Sequence, residues 1–439
     1  MPAVVGGRSL QLRLAGAALV AAAAAVVVVV GVVEPIAAAA AAPGAPLAEV
    51  AFAAYNPGSR AASGEEGGDF CFISHGCWGG KSPRQQRQRE VAALIARLIE
   101  DAAGRRDERI RFVVAAGDNF YPRGVRSVHD ERFFTTFEGV YGGGSAAVRR
   151  VPWLVALGNH DHRGNWSAQV SYTHAARDPA VHARRWSHLT SDAAAAVTGR
   201  WYMPHPYYAL KVSSDMVVVV LDTVLLHSCN AHPATCWDAG RQKAVVEDWL
   251  LRKYAAVPYK VVVGHYPVLS NGPHENFPWL QNWLTPLLAR SCASLYIHAD
   301  NHYLQVSKRG FQYYANSGGG GGAGLHYPLK GKSWVHKASV FQSFETGVML
   351  HCKKGHRLTH RVLSKTGDEL FSFASWDSDD GASLVQCLAR LTAGDSSGLQ
   401  KDRGDGLLMW LPVLVLLPLV FLVLVSAKRR YRLRGRRRA

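Results

Sequence analysis

The chain has little cysteine for its size. Seven cysteines in 439 residues are too few to build a disulfide scaffold, whereas a hydrophobic content of 48% allows a large buried core. The odd count leaves at least one thiol unpaired or bound to a metal. Cys229 and Cys236 flank a polar loop, and we expect these two to form a disulfide in an oxidising compartment.

Acidic residues are also scarce. Only 33 of them oppose 50 lysines and arginines, which gives a formal net charge of +17. Such a charge spread over a globular surface would favour a nucleic-acid partner. Here the tail from Lys428 to Arg438 alone carries nearly half of it. We therefore interpret the charge as a signal of membrane topology and expect no nucleic-acid partner.

Two long apolar runs lie near the ends of the chain. Leu14 to Val33 follows Arg8 and Arg13 and precedes an alanine-rich tract, which is the order of a secretory signal. The same run is long enough for either a cleaved signal or a retained anchor. Leu407 to Ala427 is uncharged, long enough to cross a bilayer, and followed by the basic tail, which the positive-inside rule assigns to the cytoplasm.

These features predict a single-pass type I membrane protein. Its globular part would lie outside the cell or in the lumen of an endomembrane compartment, where the sequon Asn165-Trp166-Ser167 would carry a glycan. The predicted segments are a signal peptide or anchor (1–42), a linker (43–68), a globular domain (69–375), a stalk (376–405), a transmembrane helix (406–427) and a cytoplasmic tail (428–439).

The globular part has the pattern of an α/β fold. A strand from Phe70 to Gly76, a helix that begins at Ser82-Pro83 and a strand from Phe112 predict a β-α-β unit with parallel strands. Further buried strands alternate with helices as far as residue 297. Beyond Gly310 short alternating strands follow, which we expect to form a second sheet packed on the first; they include Gly347 to His351 and Arg357 to Val362.

Three strands break at a glycine and continue into side chains that bind metals. They lead into Gly117-Asp118-Asn119-Phe120-Tyr121, Gly158-Asn159-His160-Asp161-His162 and Gly264-His265. Because the carboxyl ends of such strands meet at one edge of a sheet, we expect a shared site there. Mixed oxygen and nitrogen ligands suit iron, zinc or manganese better than calcium alone. A carboxylate such as Asp118 can bridge two ions, which together clamp a phosphoryl group.

These stretches, together with Leu221-Asp222-Thr223-Val224 and Gly264-His265-Tyr266-Pro267, resemble the motifs of purple or tartrate-resistant acid phosphatases in the calcineurin-like metallophosphoesterase superfamily. The resemblance runs from about residue 70 to 373. It implies a four-layer α/β/β/α sandwich of two mixed sheets. It also implies a centre of two metal ions, iron with iron, zinc or manganese, that cleaves phosphate monoesters.

The resemblance assigns a role to each matching position. Asp118 would bridge the ions, Tyr121 and His302 would serve the first, ferric site, and Asn159 and His265 the second. His160 would be the acid or phosphate contact, oriented by Asp161, with His162 nearby. A surface imidazole is the alternative interpretation of His162 and of His205.

Two positions depart from the family pattern. Cys77 stands where the family has an aspartate of the first site, and Asp300 stands where it has a histidine of the second. Both residue types bind metals, but a thiolate prefers softer ions and Asp300 adds negative charge to a phosphate pocket. His75 and His298 are candidate substitute ligands, although local packing of strand-end side chains is the preferred interpretation of both.

The sequence thus predicts a membrane-anchored acid phosphatase-like metallohydrolase, possessing a site altered at Cys77 and Asp300. The alternative is a pseudophosphatase, an ectodomain that keeps the fold, has an impaired metal site and serves for binding or architecture. The family's residues are retained at Asp118, Asn159, His160 and His265, which favours the enzyme, whereas the two departures favour the alternative.

Overall fold

The computed structural model describes residues 68–80, 85–175, 199–231, 238–274, 276–326, 338–376 and 387. The strands in this part of the chain are β1 Phe70–His75, β2 Ile110–Ala115, β3 Trp153–Val155, β4 Trp201–Tyr202, β5 Tyr208–Lys211, β6 Met216–Val220, β7 Tyr259–Val263, β8 Leu295–His298, β9 Leu304–Arg309, β10 Gln312–Ser317, β11 Ser339–Ser343, β12 Gly347–Lys354, β13 Arg357–Ser364 and β14 Glu369–Trp376.

The helices connect these strands or follow their ends. They are α1 Gln85–Ala102, α2 Gly139–Tyr141, α3 Ala146–Arg150, α4 Asn159–His162, α5 Trp166–Ala175, α6 Thr223–Ala231, α7 Ala239–Asp248 and α8 Pro278–Arg290. Wider or tighter helical turns occur at Arg106–Glu108, Phe133–Glu138 and Trp249–Lys253. The start that we predicted for α1, at Ser82-Pro83, lies outside the described residues.

The strands form two mixed sheets of seven. The first has the order β14-β13-β12-β1-β2-β3-β4 and the second the order β11-β9-β10-β8-β7-β6-β5. β1 and β2 pair in parallel, with Ile73 opposite Val113, as the β-α-β unit predicted. The α/β class and the two mixed sheets are therefore confirmed.

One assignment of strands to sheets was wrong. We expected Gly347 to His351 and Arg357 to Val362 in the second sheet, but β12 pairs antiparallel with β1 and β13 pairs with β12 in the first. Alternating hydrophobicity shows that a strand has a buried face, but it does not show which sheet edge the strand joins. The disulfide between Cys71 of β1 and Cys352 of β12 covalently joins the two strands.

Strand β6 shows how the layers are built. Val218 and Val220 belong to a core cluster that also holds residues of the first sheet, whereas Val217 and Val219 lie in a cluster with helical residues such as Leu284 of α8. Both faces of the strand are covered, which explains its unbroken apolar sequence. β6, β7 and β8 run parallel to one another, so the loops that follow them lie at the same edge of the second sheet.

The described residues contain two disulfides that the sequence did not predict. Within the described residues Cys71 bonds Cys352, Cys292 bonds Cys387, and Cys77 is a buried free thiol. The Cys229–Cys236 pair lies outside the side chains that the structure describes. Two disulfides indicate an extracellular or luminal domain. Cys387, in the segment predicted as a stalk, is bonded to Cys292, two residues beyond the end of α8.

Among the helices that the structure describes, none has the length and apolar character needed to span a bilayer. Both segments that we predicted to enter a membrane, 1–42 and 406–427, lie outside the described residues.

A polar chain crosses the core between the sheets. His351 of β12 faces His360 of β13 with 2.7 Å between their Nδ1 atoms. The other ring nitrogens bond the hydroxyl oxygens of Ser74, at 2.8 Å, and Ser375, at 2.6 Å. Burial lowers the pKa of His351 to about 3, and burial together with His351 lowers the pKa of His360 well below its usual range. One ring must donate and the other accept, so the accepting ring is neutral, and the lowered pKa values keep both rings neutral at pH 7.

This histidine pair predicts acid lability. In the unfolded chain a histidine titrates near pH 6.5, so the fold keeps its full stability above that pH and loses it as the pH falls towards 3. The expected loss is about 1.4 kcal/mol per pH unit for each imidazole. Thermal unfolding between pH 7 and pH 5 should show a shallower decline for His360→Gln than for the wild type, and equal declines would contradict the assignment.

Candidate metal centre

The loops after β1, β2, β3, β7 and β8 meet at one edge of the two sheets. Gly158, after β3, lies so close to the loop after β2 that a Cβ on it would be 2.3 Å from both the backbone nitrogen and the Oδ1 atom of Asp118. Only glycine permits this approach. Cys77, Asp118 and Asp300 themselves adopt the left-handed backbone region, with φ of 54°, 55° and 65°. Strained backbone of this kind clusters at functional sites.

Asp118 is the centre of the arrangement. Its Oδ2 atom accepts a hydrogen bond of 2.7 Å from the Tyr121 hydroxyl. Its Oδ1 atom accepts one of 3.0 Å from the His160 backbone N–H and lies 3.4 Å from Nε2 of His265. The two oxygens of one buried carboxylate therefore face two different sets of donor atoms.

The first set combines Cys77, Asp118, Tyr121 and His302. The candidate ligand atoms of Cys77, Asp118 and His302 all lie within 4.8 Å of one another. The Tyr121 hydroxyl is 3.1 Å from Nε2 of His302. Nδ1 of His302 donates to the carbonyl of Gly324 at 2.7 Å, which leaves the Nε2 lone pair directed into the set.

The second set combines Asp118, Asn159, His265 and Asp300. Nδ1 of His265 donates to the carbonyl of Ala116 at 2.8 Å, and its Nε2 lies 3.5 Å from Oδ1 of Asp300. Nε2 of His265 and Oδ1 of Asn159 are buried, and neither makes a hydrogen bond within the described part of the chain. Buried polar atoms of this kind normally have a partner.

Burial and neighbouring charges shift the pKa values of His265, Asp300 and Cys77. Burial alone would lower the pKa of His265, but Asp118 and Asp300 outweigh it and raise that pKa to about 9. Burial also acts to raise the pKa of Asp300, yet His265 outweighs it and the pKa is lowered. Burial, followed by the charges of Asp118 and Asp300, raises the pKa of the Cys77 thiol. Several acidic groups thus share a dry pocket, where a cation stabilises them.

The donor atoms therefore fit metal ions. Backbone carbonyls hold Nδ1 of His265 and of His302, so Nε2 is the atom of each ring that can bind a metal ion. The buried Oδ1 of Asn159 makes no hydrogen bond in the described part of the chain and is an oxygen of the kind that a cation binds. The first set has sulfur, oxygen and nitrogen donors, and the second has oxygen and nitrogen.

A family model described as "Calcineurin-like phosphoesterase" matches residues 85–304, half of the chain. The chain is a calcineurin-like phosphoesterase. Tartrate-resistant acid phosphatase type 5 of Mus musculus is 32% identical over 249 residues, which cover 53% of this chain and 67% of that protein. Purple acid phosphatase 3 of Arabidopsis thaliana is 27% identical over 334 residues, which cover 70% and 81%. The predicted family is confirmed.

The fold of this calcineurin-like phosphoesterase is also similar to a solved structure. That structure, "GAP50 the anchor in the inner membrane complex of Plasmodium", superposes with a TM-score of 0.55 at 20% identity. The match covers 74% of this chain and 95% of the other.

The three residues of the His160 loop have different surroundings in the phosphoesterase. Nδ1 of His160 bonds the carbonyl of Pro122 at 2.7 Å, and its ring packs on Tyr121. The Asp161 carboxylate instead accepts backbone N–H bonds, from Gly158 at 2.8 Å and from Asn119 at 3.1 Å. The Asp161 carboxylate therefore fixes the backbone of the loop on which His160 lies. Burial, and then the charge of Asp118, raise the pKa of Asp161 to about 6.

His162 has a partner that the sequence interpretation did not assign to the site. Its Nε2 atom lies 2.9 Å from Oδ2 of Asp222. Burial alone would lower the pKa of His162, but Asp222 outweighs it and the pKa is raised. Asp222 directly follows the buried run that contains β6, so the strand-then-ligand pattern would have identified it.

His326 was also missed. Its ring stacks on that of His302 with 3.8 Å between centroids, and its Nδ1 atom accepts the His302 backbone N–H at 3.1 Å. It follows a run of glycines, which gave no signal of a ligand. His274, whose ring centroid lies 4.9 Å from that of His326, extends the imidazole cluster.

The suggested substitute ligands are not in either donor set. His75 is buried among Trp78, Tyr141 and Trp153, and His298 stacks on Tyr296. His205 bonds the backbone carbonyl of Tyr207 at 3.0 Å. Local packing therefore accounts for His75 and His298.

Proposed function

We propose that this chain hydrolyses phosphate monoesters at a centre of two metal ions. The observation that carries the proposal is that the two oxygens of the Asp118 carboxylate face different sets of ligand atoms. Oδ2 faces Tyr121 and His302, whereas Oδ1 faces His265. A carboxylate so placed is the bridging ligand that a pair of ions needs. Similarity to acid phosphatases supports phosphate monoesters as the substrates.

The ions would be held by two sets of side chains, Cys77, Asp118, Tyr121 and His302 on one side and Asp118, Asn159, His265 and Asp300 on the other. Bound metal ions supply Lewis-acid chemistry, because they draw charge from phosphoryl oxygens and lower the pKa of water. The family resemblance implies iron together with iron, zinc or manganese as the pair of ions.

His160 would hold the proton for the leaving alkoxide. The carbonyl of Pro122 can only accept, so Nδ1 of His160 carries a hydrogen and Nε2 is the atom left to exchange a proton. The Tyr121 ring, 4.4 Å from the imidazole centroid, limits the ring's rotation. The Arg163 guanidinium lies 3.3 Å from Nδ1 and places a positive charge beside the path of a phosphate.

His162 and Asp222 would set the polarity of the other wall. A buried carboxylate 2.9 Å from Nε2 favours the charged imidazolium, which attracts an anion. We propose that His162 contributes to phosphate binding in this way, with Asp222 holding its ring.

Substitution of His160 tests this assignment. His160→Ala should leave both ions bound and slow hydrolysis of an aryl phosphate by about 10²- to 10⁴-fold, the usual effect of a lost general acid. The control is His356→Ala, since His356 is exposed in the turn after β12, at the sheet edge opposite the site. Unchanged turnover in His160→Ala would contradict the role of His160.

We further propose that the domain is luminal or extracellular and anchored by the 406–427 segment. Asn165 is exposed, and its Oδ1 accepts the Ala168 backbone N–H at 3.1 Å, so it also caps α5. Asn165→Asp keeps the cap and removes the glycan acceptor.

In cells, the wild type should lose mass on glycosidase treatment and Asn165→Asp should not. The basic tail should resist protease added to sealed vesicles. A glycan-free wild type with an accessible tail would overturn this topology.

A second candidate is a non-catalytic ectodomain for binding or architecture. It is favoured by Cys77 and Asp300, which both depart from the family's ligands. The solved protein with the similar fold is described as the anchor in the inner membrane complex of Plasmodium. Metal content separates the candidates, because a dinuclear mechanism requires two ions per chain.

A further inference from the structure

We propose that Cys77 is a metal ligand whose sulfur makes the first donor set a site for zinc, or for another borderline-soft divalent ion, in place of a ferric ion. This inference rests on the proposed function, because it names the ion of the same centre. It extends that function, since a ferric ion beside a phenolate is what the family resemblance implies for this half.

The backbone holds Cys77 in a fixed position. Its N–H donates to the carbonyl of Gly117 at 2.9 Å, and its own carbonyl accepts the N–H of Gly322 at 3.0 Å. With φ of 54° and 1% exposure, the residue has little freedom to turn its sulfur elsewhere. The sulfur is thereby held within 4.8 Å of the ligand atoms of Asp118 and His302.

The surroundings of the sulfur are polar. A buried structural cysteine behaves as a small hydrophobic group and packs among apolar atoms. The Cys77 thiol instead hydrogen-bonds the Tyr121 hydroxyl and the backbone N–H of Asp300, and it lies within the electrostatic influence of the Asp118 and Asp300 carboxylates. These polar neighbours are unlike the apolar packing of a structural cysteine and match the surroundings of a metal ligand.

Cys77 has also escaped disulfide formation. Cys71, six residues earlier on the same stretch, is bonded to Cys352, so the thiols of this domain become oxidised. Cys77 is the free cysteine of the described part of the chain. A thiol retained in an oxidising compartment, beside an imidazole and a carboxylate, matches the ligand chemistry of zinc.

Asp300, the second departure from the family pattern, is compatible with a divalent ion in the first donor set. The four positive charges of two divalent ions exceed the three negative charges of Cys77, Asp118 and Asp300, and they equal the total when Tyr121 also binds as a phenolate, so the occupied pocket is not anionic. His265 lies 3.5 Å from Asp300 and shares part of its negative charge. The two departures are thus consistent with a centre built for two divalent ions.

Cobalt(II) gives a direct test, because a thiolate bound to it produces a sulfur-to-metal charge-transfer band in the near ultraviolet. The full chain is purified in detergent, stripped with a chelator and titrated with Co²⁺ and with Zn²⁺. The wild type should show the band, and Cys77→Asp should bind cobalt without it. A Cys229→Ser, Cys236→Ser double variant is the matched control and should keep the band. Zinc affinity should fall in Cys77→Ser by more than the 10- to 100-fold typical of a lost outer partner.

Cobalt bound by the wild type without a thiolate band would overturn the inference. So would an equal zinc affinity in the wild type and a folded Cys77→Ser variant; if that variant does not fold, the wild-type and Cys77→Asp spectra decide. Phosphatase activity is measured on the same samples. Activity without the band overturns this inference alone, whereas the band without activity supports the ligand and overturns the proposed hydrolysis.

Discussion

Replacing Asp118 with alanine should remove metal from both halves of the centre and abolish hydrolysis of phosphate monoesters. The reason is that Asp118 is the carboxylate whose two oxygens reach both donor sets, at 2.7 Å from the Tyr121 hydroxyl and 3.4 Å from Nε2 of His265. We expect turnover to fall by more than the roughly 10⁴-fold upper range of a lost general acid. Metal analysis and aryl phosphate hydrolysis on the same purified samples measure both effects.

Two comparisons make this prediction specific. Asp118→Asn keeps the shape of the side chain and an oxygen for the Tyr121 hydroxyl, so it should fold while binding metal weakly. His160→Ala should keep its metal. If His160→Ala loses as much metal as Asp118→Ala, the roles of bridging ligand and proton donor are wrongly assigned.

Restoring the family residues at the two departures should accelerate hydrolysis. Cys77→Asp replaces sulfur by a hard oxygen donor, which favours a more acidic ion and a lower pKa of water. Asp300→His removes a negative charge that opposes the phosphate dianion. Because both donor sets share Asp118, the double variant should gain more than the product of the single gains.

The measurement is aryl phosphate hydrolysis by the wild type, both single variants and the double variant, with metal content on the same samples. If the wild type already binds two ions and turns over at an ordinary rate, about 1 to 10³ per second, and the reversions lower that rate, the departures do not limit catalysis and the prediction fails.

The fold was predictable where local pattern decides it. Parallel pairing of β1 and β2 follows from a strand-helix-strand sequence, and the strand ends that carry Asp118 and His265 follow from glycine breaking an apolar run. The pairing of β12 with β1 was not predictable. Cys71 and Cys352 are 281 residues apart, and nothing local in either segment specifies the other.

The residues of the candidate site likewise fall into those that the sequence predicted and those that it did not. The residues after strand ends were predicted, and the structure brings Cys77, Asp118 and His302 together. Residues that act by contact across the fold were missed. Stacking of His326 on His302, at 3.8 Å, depends on how a glycine-rich loop folds back, and the bond from His162 to Asp222 joins loops of opposite sheets. Those contacts require three-dimensional packing.

The most direct test of the account is the number of metal ions per folded chain, determined together with phosphatase activity on the full-length protein. We predict two ions per chain and hydrolysis of an aryl phosphate that a chelator abolishes and divalent metal restores. A folded chain that binds at most one ion and hydrolyses no phosphate monoester would contradict the dinuclear centre and favour the binding or architectural alternative.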